Sequence, residues 1–348
     1  MRIQKSELVQ KLNKVRNVIP KRCSVAVLQS VLVQDGTFIA TNMELTVKVK
    51  AEGSEGESFL IPERALEVIN NLPDGEVEIS ATEGNSIVIQ MGTIRNRYQT
   101  EAASSFPRIM EQEEGCDFTI QAETLLESLR RVAYAIPAKG TTPTIASMCL
   151  QADGKYLHFV GLDGRALAWD KAEFGGKFEM LIPKSTVEKL KTVGLTGEVQ
   201  VRHNKASAVF ATEELEIHTR LVEGNYFRYQ EMFQTLPMHT AVVREELAAA
   251  LARARICTEG RCPIRFELYG NTLKLSLKGS SAEYQEMLAL RNEIPTPLTI
   301  GFDAGLLLET LKAFDCEDVA VSFGGAKTPM VVEDEDSNFK VMILPVVL

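Results

Sequence analysis

The residues with reactive side chains are scattered along the sequence. None of the four histidines stands beside a Ser or Cys in a nucleophile pattern: His158, His203, His218 and His239. No glycine-rich phosphate-binding motif occurs in the sequence. Asp163-Gly164-Arg165 could form a small catalytic turn, but a turn between two strands is the commoner role of such a tripeptide. The sequence therefore predicts a non-catalytic protein.

The cysteines do not form a recognisable metal or disulfide framework. The six are Cys23, Cys116, Cys149, Cys257, Cys262 and Cys316. Cys257 and Cys262 are the one close pair, with four residues between them, and no second pair or nearby His completes a zinc site. We expect reduced thiols, no metal and no cofactor.

Composition and length indicate a soluble protein of two or three domains. The 348 residues are 45% hydrophobic and 24% charged, as in an average globular protein. There is no run of eighteen apolar residues, and the first ten residues are charged and amphipathic, which predicts a cytoplasmic protein. The net charge of −9, taken alone, argues against nucleic-acid binding.

Internal similarity is the strongest signal in the sequence. Residues 59–71 read as an apolar strand, FLIP, followed by the first turn of a helix and then the rest of an amphipathic helix. The same order recurs with MLIP at 180–183 as the strand. A third copy begins with LTIGF at 298–302. Ile182 lies 121 residues after Ile61, and Ile300 of the third copy lies 118 residues beyond Ile182. These segments predict one unit repeated three times.

A second amphipathic helix and a strand pair precede each of these segments. The six predicted helices span about 4–20, 63–71, 122–136, 184–191, 244–255 and 303–315. Asp35-Gly36, Asp153-Gly154 and Gly270-Asn271 are hairpin-turn signals. We therefore predict an α+β fold of three tandem repeats, at residues 1–114, 115–240 and 241–348. A generic α+β protein with coincidental patterning is the alternative.

The chain resembles the bacterial DNA sliding clamps, the beta subunits of DNA polymerase III. The resemblance extends over the whole chain and depends on the order of short segments rather than on one motif. These segments are TNMEL at 41–45, SFP at 105–107, DGRAL at 163–167, LVEG at 221–224, IGF at 300–302 and the terminal LPVVL at 344–348. The resemblance implies a head-to-tail homodimer: a ring of six repeats with helices lining the hole, sheets outside and duplex DNA inside.

The charge distribution agrees with such a ring. The six predicted helices carry a net charge of +3, and Lys21, Arg22 and Lys139 raise this to +6, so the rest of the chain carries −15. A positive lining attracts phosphates without selecting a sequence. The alternative is that these cations are ordinary solvated helix faces. The resemblance implies DNA contacts at Arg22 and Lys139, and charge and helix face add Lys14, Arg16, Arg130, Arg131, Lys184, Lys189 and Lys191.

The resemblance also implies two protein-binding surfaces. At the dimer interface, Arg95 and Arg97 on an edge strand would face Glu283 and Glu286, and Tyr98 and Ile256 would supply the apolar part. Polymerase and clamp-loader subunits would insert a short peptide into a cleft between repeats two and three. The residues matching that cleft are Ile145, Leu162, Gly164, Arg165, Leu167, Phe227, Met232, Leu306, Ile343, Leu344, Pro345, Val346 and Leu348.

The cleft is where this chain departs from the family pattern. Gly164-Arg165-Ala166-Leu167 replaces Gly-His-Arg-Leu, and LPVVL replaces a terminal Met-Pro-Met-Arg-Leu. Phe227 replaces a Pro and Glu231 an Arg, so we expect a bulkier cleft with altered affinity for the standard peptide. The apolar end ILPVVL fits either a partner pocket or a buried last strand. A clamp-like paralogue of a phage or mobile element, acting as a scaffold for other partners, is the alternative function.

Overall fold

The six helices predicted from apolar spacing are present in the computed structural model, which describes residues 1–109, 116–138, 142–257, 262–279 and 282–348. They are α1 (Lys5–Arg16), α2 (Glu63–Asn71), α3 (Ala122–Ala133), α4 (Lys184–Thr192), α5 (Arg244–Ile256) and α6 (Ala304–Leu311). Leu8, Leu12 and Val15 form the buried stripe of α1, at the spacing of three and four residues that the sequence shows.

The strands account for most of the remaining described residues. They are β1 (Arg2–Gln4), β2 (Ser30–Gln34), β3 (Thr37–Thr41), β4 (Leu45–Lys50), β5 (Ser58–Pro62), β6 (Glu76–Thr82), β7 (Ser86–Met91), β8 (Ile94–Gln99), β9 (Cys116–Gln121), β10 (Ser147–Asp153), β11 (Tyr156–Leu162), β12 (Ala166–Glu173), β13 (Lys177–Pro183), β14 (Glu198–His203), β15 (Ser207–Ala211), β16 (Leu215–Arg220), β17 (Met238–Val243), β18 (Pro263–Lys278), β19 (Glu283–Asp303), β20 (Asp318–Phe323), β21 (Met330–Glu333) and β22 (Lys340–Ile343).

The chain divides into two compact units whose limits are offset from the sequence repeats. The first unit contains residues 1–123 and 188–221. Its larger sheet has the strand order β5-β2-β3-β4-β16-β15-β14-β9, and β1-β6-β7-β8 form a second sheet. Strand β4 of the first repeat pairs directly with β16 of the second, with Lys48 opposite Glu216. The two repeats thus share one continuous sheet.

The second unit contains residues 124–187 and 222–348 and repeats this arrangement. Its larger sheet has the order β13-β10-β11-β12-β22-β21-β20-β17. Here β12 of the second repeat pairs with β22 of the third, with Trp169 opposite Lys340. Strands β18 and β19 form a separate ladder. Each unit therefore contains one junction between successive repeats.

The predicted turns fall between strands at two of the three sites. Asp35 and Gly36 connect β2 and β3 with φ angles of 46° and 72°, as a two-residue hairpin requires. Gly154, with a φ of 105°, lies between β10 and β11. The third site is different, because Gly270 lies inside β18, where the pairing register with β19 shifts.

Two of the predicted repeat limits can be compared with the elements. The limit after residue 114 lies outside the described residues. The predicted limit between residues 240 and 241 falls within β17, which pairs with β20 of the third repeat. Among the described helices, none combines the length and apolar character that crossing a membrane would require.

Candidate functional sites

In the first unit, the residues predicted to contact DNA differ in solvent exposure and in whether they form ion pairs within the protein. Arg22 is exposed in the loop after α1, and Lys14 on that helix is half-buried. Arg16 lies 3.9 Å from the Glu67 carboxylate, and Lys191 lies 3.3 Å from Glu188. These ion pairs are partly exposed and contribute little energy, so both cations can turn toward a phosphate.

Lys189 does not fit its predicted role in DNA binding. The side chain is 6% exposed, and its ammonium donates a hydrogen bond to the carbonyl of Lys14 near the end of α1. Burial lowers the pKa of Lys189 to about 8. The carbonyls of the last helical turn have no partners within their own helix, so this ammonium serves as a cap. The sequence could not distinguish it from the neighbouring cations of α4.

In the second unit, Arg131 is likewise engaged inside the protein. Its side chain is 13% exposed and forms ion pairs with Glu127 at 2.6 Å and with the buried Asp170 at 3.3 Å. The Ser128 hydroxyl donates to the same Asp170 carboxylate at 2.8 Å. This network corrects the prediction that Arg131 faces DNA.

Arg130 and Lys184 also have partners within this unit. Arg130 donates to the Lys312 carbonyl at 3.0 Å and pairs with Asp315. The Lys184 ammonium donates to the Ile136 carbonyl just after α3. The charged groups of Arg130 and Lys184 interact in part with helix ends, although both side chains remain partly exposed to solvent. Lys139 lies outside the described residues.

The predicted interface arginines lie on an edge strand, as expected. β8 is the last strand of the β1-β6-β7-β8 sheet, and Arg95 and Arg97 are both exposed on it. Arg97 donates to the Ser86 hydroxyl at 3.0 Å. Tyr98 is half-buried, and desolvation raises its pKa.

The predicted acidic partners already have cations beside them. Glu286 accepts two hydrogen bonds from Arg253, at 3.0 and 2.5 Å, and these hold the pKa of Glu286 below its ordinary value. Glu283 lies 3.1 Å from Lys278. Nearby, at the end of α5, Ile256 is 86% exposed. An exposed isoleucine at a helix end is suited to burial against another protein surface.

The predicted cleft adjoins an apolar cluster on one face of the β12–β22 junction. Leu167, Trp169, Tyr229 and Met342 are buried there, and Leu162 and Phe227 pack against them. The Tyr229 hydroxyl donates to the Gln151 side chain at 2.7 Å, which fastens the segment after β16 to the sheet. The Lys340 ammonium lies 4.4 Å from the Trp169 ring centre.

The apolar cluster leaves out Ile343 and contains buried residues that the cleft prediction did not name, among them Met342, Trp169 and Tyr229. Ile343 is fully buried and follows Met342 on β22, so the two side chains point to opposite faces of the sheet. Met342 therefore belongs to the cluster in place of Ile343. Trp169 and Tyr229, also absent from the prediction, are 60 positions apart in the sequence and pack together in the cluster. The one available signal was that neighbouring side chains on a strand point to opposite faces, so that Met342 and Ile343 could not both join one cluster.

The remaining predicted cleft residues vary in exposure. Leu306 is buried on α6, Ile145 is half-buried, and Gly164, Arg165 and Met232 are exposed. Gly164 has a φ of 82°, and Arg165 forms an ion pair with Asp163 at 3.0 Å. This is the strand-to-strand turn that the sequence predicted.

The last residues of the chain pack along the strands rather than extending freely. The Leu344 amide donates to the Arg165 carbonyl, and the Val346 amide donates to the Gly301 carbonyl, both at 2.8 Å. Leu344 is 40% exposed and Leu348 50% exposed, with Pro345 and Val346 half-buried between them. This C-terminal tail, residues 344–348, is thus docked but still presents apolar surface.

The histidines take part in local contacts. His158 is buried, accepts a hydrogen bond from the Trp169 indole at 3.0 Å, and lies 3.0 Å from Asp153. His239 lies 2.9 Å from the Ser322 hydroxyl, a contact that the sequence did not suggest. These two residues are direct cross-strand partners on β17 and β20, and Ser322 is 8% exposed. A buried hydroxyl in a strand pair is poorly placed for nucleophilic attack.

Two family models match the chain. Residues 1–110 match the N-terminal domain of the DNA polymerase III beta subunit, and residues 236–347 match its C-terminal domain. The beta sliding clamp of Vibrio cholerae is 25% identical over an alignment of 365 positions, which covers 99% of this chain and 98% of that protein. The chain belongs to the bacterial sliding-clamp family.

Solved sliding-clamp structures have the same fold. The DNA polymerase sliding clamp from Bacillus subtilis superposes with a TM-score of 0.93 at 20% identity, covering 100% of this chain and 98% of that one. The Pseudomonas aeruginosa sliding clamp bound to griselimycin also has a TM-score of 0.93, at 22% identity, covering 100% and 99%. The predicted clamp fold is confirmed. Like the family, the chain is a non-catalytic processivity subunit for DNA polymerase III.

Proposed function

We propose that two copies of the chain pair head to tail into a ring that encircles duplex DNA and holds the replicative polymerase on it. The observation that carries this proposal is the whole-length match to sliding clamps, with both internal junctions built as shared sheets. A heterologous contact whose rotation closes gives a ring. The exposed edge strand β8 offers a third position for the same kind of contact.

Arg22 and Lys14 are the proposed principal DNA contacts, supported by Arg16 and Lys191. Contacts to phosphates position a protein on DNA without selecting a sequence, so a ring with few such contacts can slide. Retention then depends on the closed ring, and a bound polymerase remains at high effective concentration near the primer end. Since bacterial chromosomal DNA lies in the cytoplasm, we expect the protein there.

Retention on DNA without ends tests the ring. The purified chain should have a mass near twice 38.5 kDa by light scattering. After loading, it should remain on nicked circular DNA through gel filtration and leave the same DNA once a restriction enzyme has cut it. Equal loss from circular and linear DNA, or a monomer at micromolar concentration, would contradict the proposal.

The partners of the cleft form a second part of the proposal. Phe227 packs 4.9 Å from Tyr226 and 6.4 Å from Tyr229, between ring centres, so aromatic side chains occupy the edge of the apolar cluster. Arg165 and Glu231 are exposed there with the altered charges noted in the sequence. These features support a clamp whose polymerase and clamp-loader partners carry a modified peptide.

A competition assay distinguishes a cleft that prefers a modified peptide from one with the family's standard peptide specificity. A fluorescent peptide with the standard clamp-binding motif should bind at least tenfold more weakly to this chain than to the Vibrio cholerae clamp. Phe227→Pro should recover part of the affinity, while Phe174→Leu, a change in the loop between β12 and β13 outside the cluster, should not. Equal affinity for the two clamps would contradict the altered cleft. A ring that binds neither DNA nor polymerase would favour the scaffold alternative.

A further inference from the structure

The two junctions between repeats can be compared residue by residue, because the same backbone hydrogen bond occurs in each. The Arg220 amide donates to the Glu44 carbonyl at the first junction, at 3.0 Å. The Leu344 amide donates to the Arg165 carbonyl at the second, at 2.8 Å. Counting along the strands from these bonds gives equivalent positions on the two sheets.

Four positions along the strands from these bonds, the first junction has an ion pair. Lys48 and Glu216 lie directly opposite each other, with 3.4 Å between ammonium and carboxylate. At the equivalent positions, the second junction has Trp169 opposite Lys340. The Lys340 ammonium lies 4.4 Å from the Trp169 ring centre. The second junction therefore has a cation whose partner on the sheet is an aromatic ring instead of an anion.

A second lysine lies against the same ring. The Lys171 ammonium is 6.0 Å from the Trp169 ring centre and 4.5 Å from that of Tyr156. Lys340 is also 4.6 Å from the Phe233 ring centre. An aromatic ring attracts an ammonium group without neutralising its charge. Lys171, Lys340 and Trp169 together form a cationic patch on the outward part of the sheet.

Both ammonium groups of the cationic patch can accept an anion. Among the residues that the structure describes, neither Lys171 nor Lys340 forms an ion pair or donates a hydrogen bond, and both are partly exposed. Glu333 lies opposite Lys340 on β21 without pairing with it. Burial lowers the pKa of Lys340, Glu333 opposes this effect, and the charge of Lys171 adds to it. An anion between the two ammonium groups would offset both the burial and the repulsion.

The cationic patch lies on the sheet face that points away from α3. Asp170 follows Trp169 on β12, so its side chain points to the opposite face. There it accepts a hydrogen bond from Ser128 and pairs with Arg131, both on α3. Because α3 is one of the helices expected to line the hole of the proposed ring, the patch would face partners outside the ring and not the encircled DNA.

The cationic patch is continuous with the apolar cleft. The Tyr229 ring centre lies 5.2 Å from that of Trp169 and 6.4 Å from that of Phe227, a cleft residue. Trp169 is only 9% exposed, and Lys340, Tyr229 and Phe233 pack around its ring. A nucleobase therefore has little ring surface on which to stack, whereas a carboxylate requires only the two ammonium groups.

We propose that the cationic patch binds an acidic side chain of the partner peptide, so that partners of this chain carry an aspartate or glutamate beside the apolar residues that enter the cleft. The inference rests on the proposed partner role of the cleft and specifies the chemistry of its modified peptide. Lys171 and Lys340 are already held against rings, so a carboxylate binds with little further loss of side-chain entropy. At the first junction, the pairing of Lys48 with Glu216 leaves no such site at the equivalent position.

Peptides that differ only in one flank test the inference. A fluorescent peptide with the standard clamp-binding motif is made with two aspartates or two asparagines at one end, and then at the other. At one of the two ends, the aspartate peptide should bind the full-length chain about tenfold more tightly in low salt, because a hydrogen bond to a charged group is worth about one tenfold step. This advantage should fall to about twofold or less in Lys171→Gln and in Lys340→Gln. Lys50 occupies the position of Lys171 at the first junction, and Lys50→Gln should keep the advantage in full.

Reversing the charge distinguishes recognition from a structural role. Lys171→Glu should prefer the same peptide flanked by two lysines over the aspartate peptide. Displacement of the aspartate peptide by single-stranded oligothymidine should not depend on Lys340. If the native chain binds aspartate and asparagine peptides equally at both ends, the inference is wrong and the cleft stands. Displacement by the oligonucleotide that is weakened in Lys340→Gln would assign the patch to nucleic acid instead. If none of these peptides binds the native chain, the proposed partner role of the cleft itself fails.

Discussion

Gly301 sits beneath the C-terminal tail so closely that a single methyl group should displace it. A β-carbon built at this position would lie 2.6 Å from two atoms of the Leu348 side chain and 2.8 Å from the Val346 carbonyl oxygen. Carbon atoms in contact normally stand about 3.5 Å or more apart. The backbone φ of Gly301 is outside the left-handed region, so alanine fits the strand itself. Gly301→Ala should therefore act on the tail and leave the strand intact.

The structure sets the magnitude of this displacement. The tail would lose the 2.8 Å hydrogen bond from the Val346 amide, worth about 1 kcal/mol. It would also lose the contacts of the half-buried Leu348, worth about another 1 kcal/mol. A combined loss of about 2 kcal/mol is a shift of roughly thirtyfold toward the undocked tail. Because alanine is favoured over glycine in a strand by about 0.5–1 kcal/mol, the global free energy of unfolding should hardly fall.

Hydrogen exchange and carboxypeptidase digestion measure the tail directly. In Gly301→Ala the Val346 amide should exchange about thirtyfold faster, and the last residues should be removed sooner, while the urea midpoint stays nearly constant. A chain lacking residues 346–348 is the matched control, and in that background Gly301→Ala should raise the midpoint slightly. An undiminished protection of the Val346 amide in Gly301→Ala would refute the reasoning.

Three further changes address the charged residues. Arg131→Ala should cost about 3–5 kcal/mol in urea denaturation, because it leaves the buried Asp170 without its cation, and a loss below 1 kcal/mol would contradict the network. Because the pKa of Lys189 falls to about 8 on folding from its ordinary 10.5, the free energy of unfolding should rise by at most about 3 kcal/mol from pH 8 to 10.5. Lys189→Met should flatten that rise, and denaturation curves that keep it would refute the assignment. Arg22→Ala should reduce the slope of log affinity for DNA against log salt by about 1, with no effect on dimerisation.

The helices were predictable because their apolar spacing is local and repeated. The predicted helix at 63–71 matches α2, and the predicted helix at 184–191 differs from α4 by one residue. The first helix was predicted too long. It ends at Arg16, and the amides of Val18 and Ile19 then form turns with carbonyls three residues earlier, ahead of Pro20.

The side-chain partners could not be predicted, because they come from distant parts of the chain. Lys189 and Lys191 look alike in the sequence, and only the position of α1 makes one a buried cap and the other a solvent-facing cation. In the same way, the cluster of Trp169 and Tyr229 depends on the segment after β16 returning to the sheet. Ile343 was assigned to the cleft by similarity alone, and the structure buries it on the face of β22 opposite Met342.

The sharing of sheets between successive repeats also affects how the chain folds during synthesis. Strand β4 ends at Lys50, and its neighbour β16 begins at Leu215, so the ribosome needs roughly ten to thirty seconds to deliver the second strand after the first. Throughout that interval one edge of the nascent sheet is open to other polypeptides. The charged side chains of Lys48 and Lys50 on β4 disfavour the pairing of this edge with other strands. The corresponding edge at β12 remains unpaired until β22, the last of the described strands, has been made, and it exposes Trp169 until then. A nascent chain stalled before Lys340 should therefore be the form most dependent on chaperones.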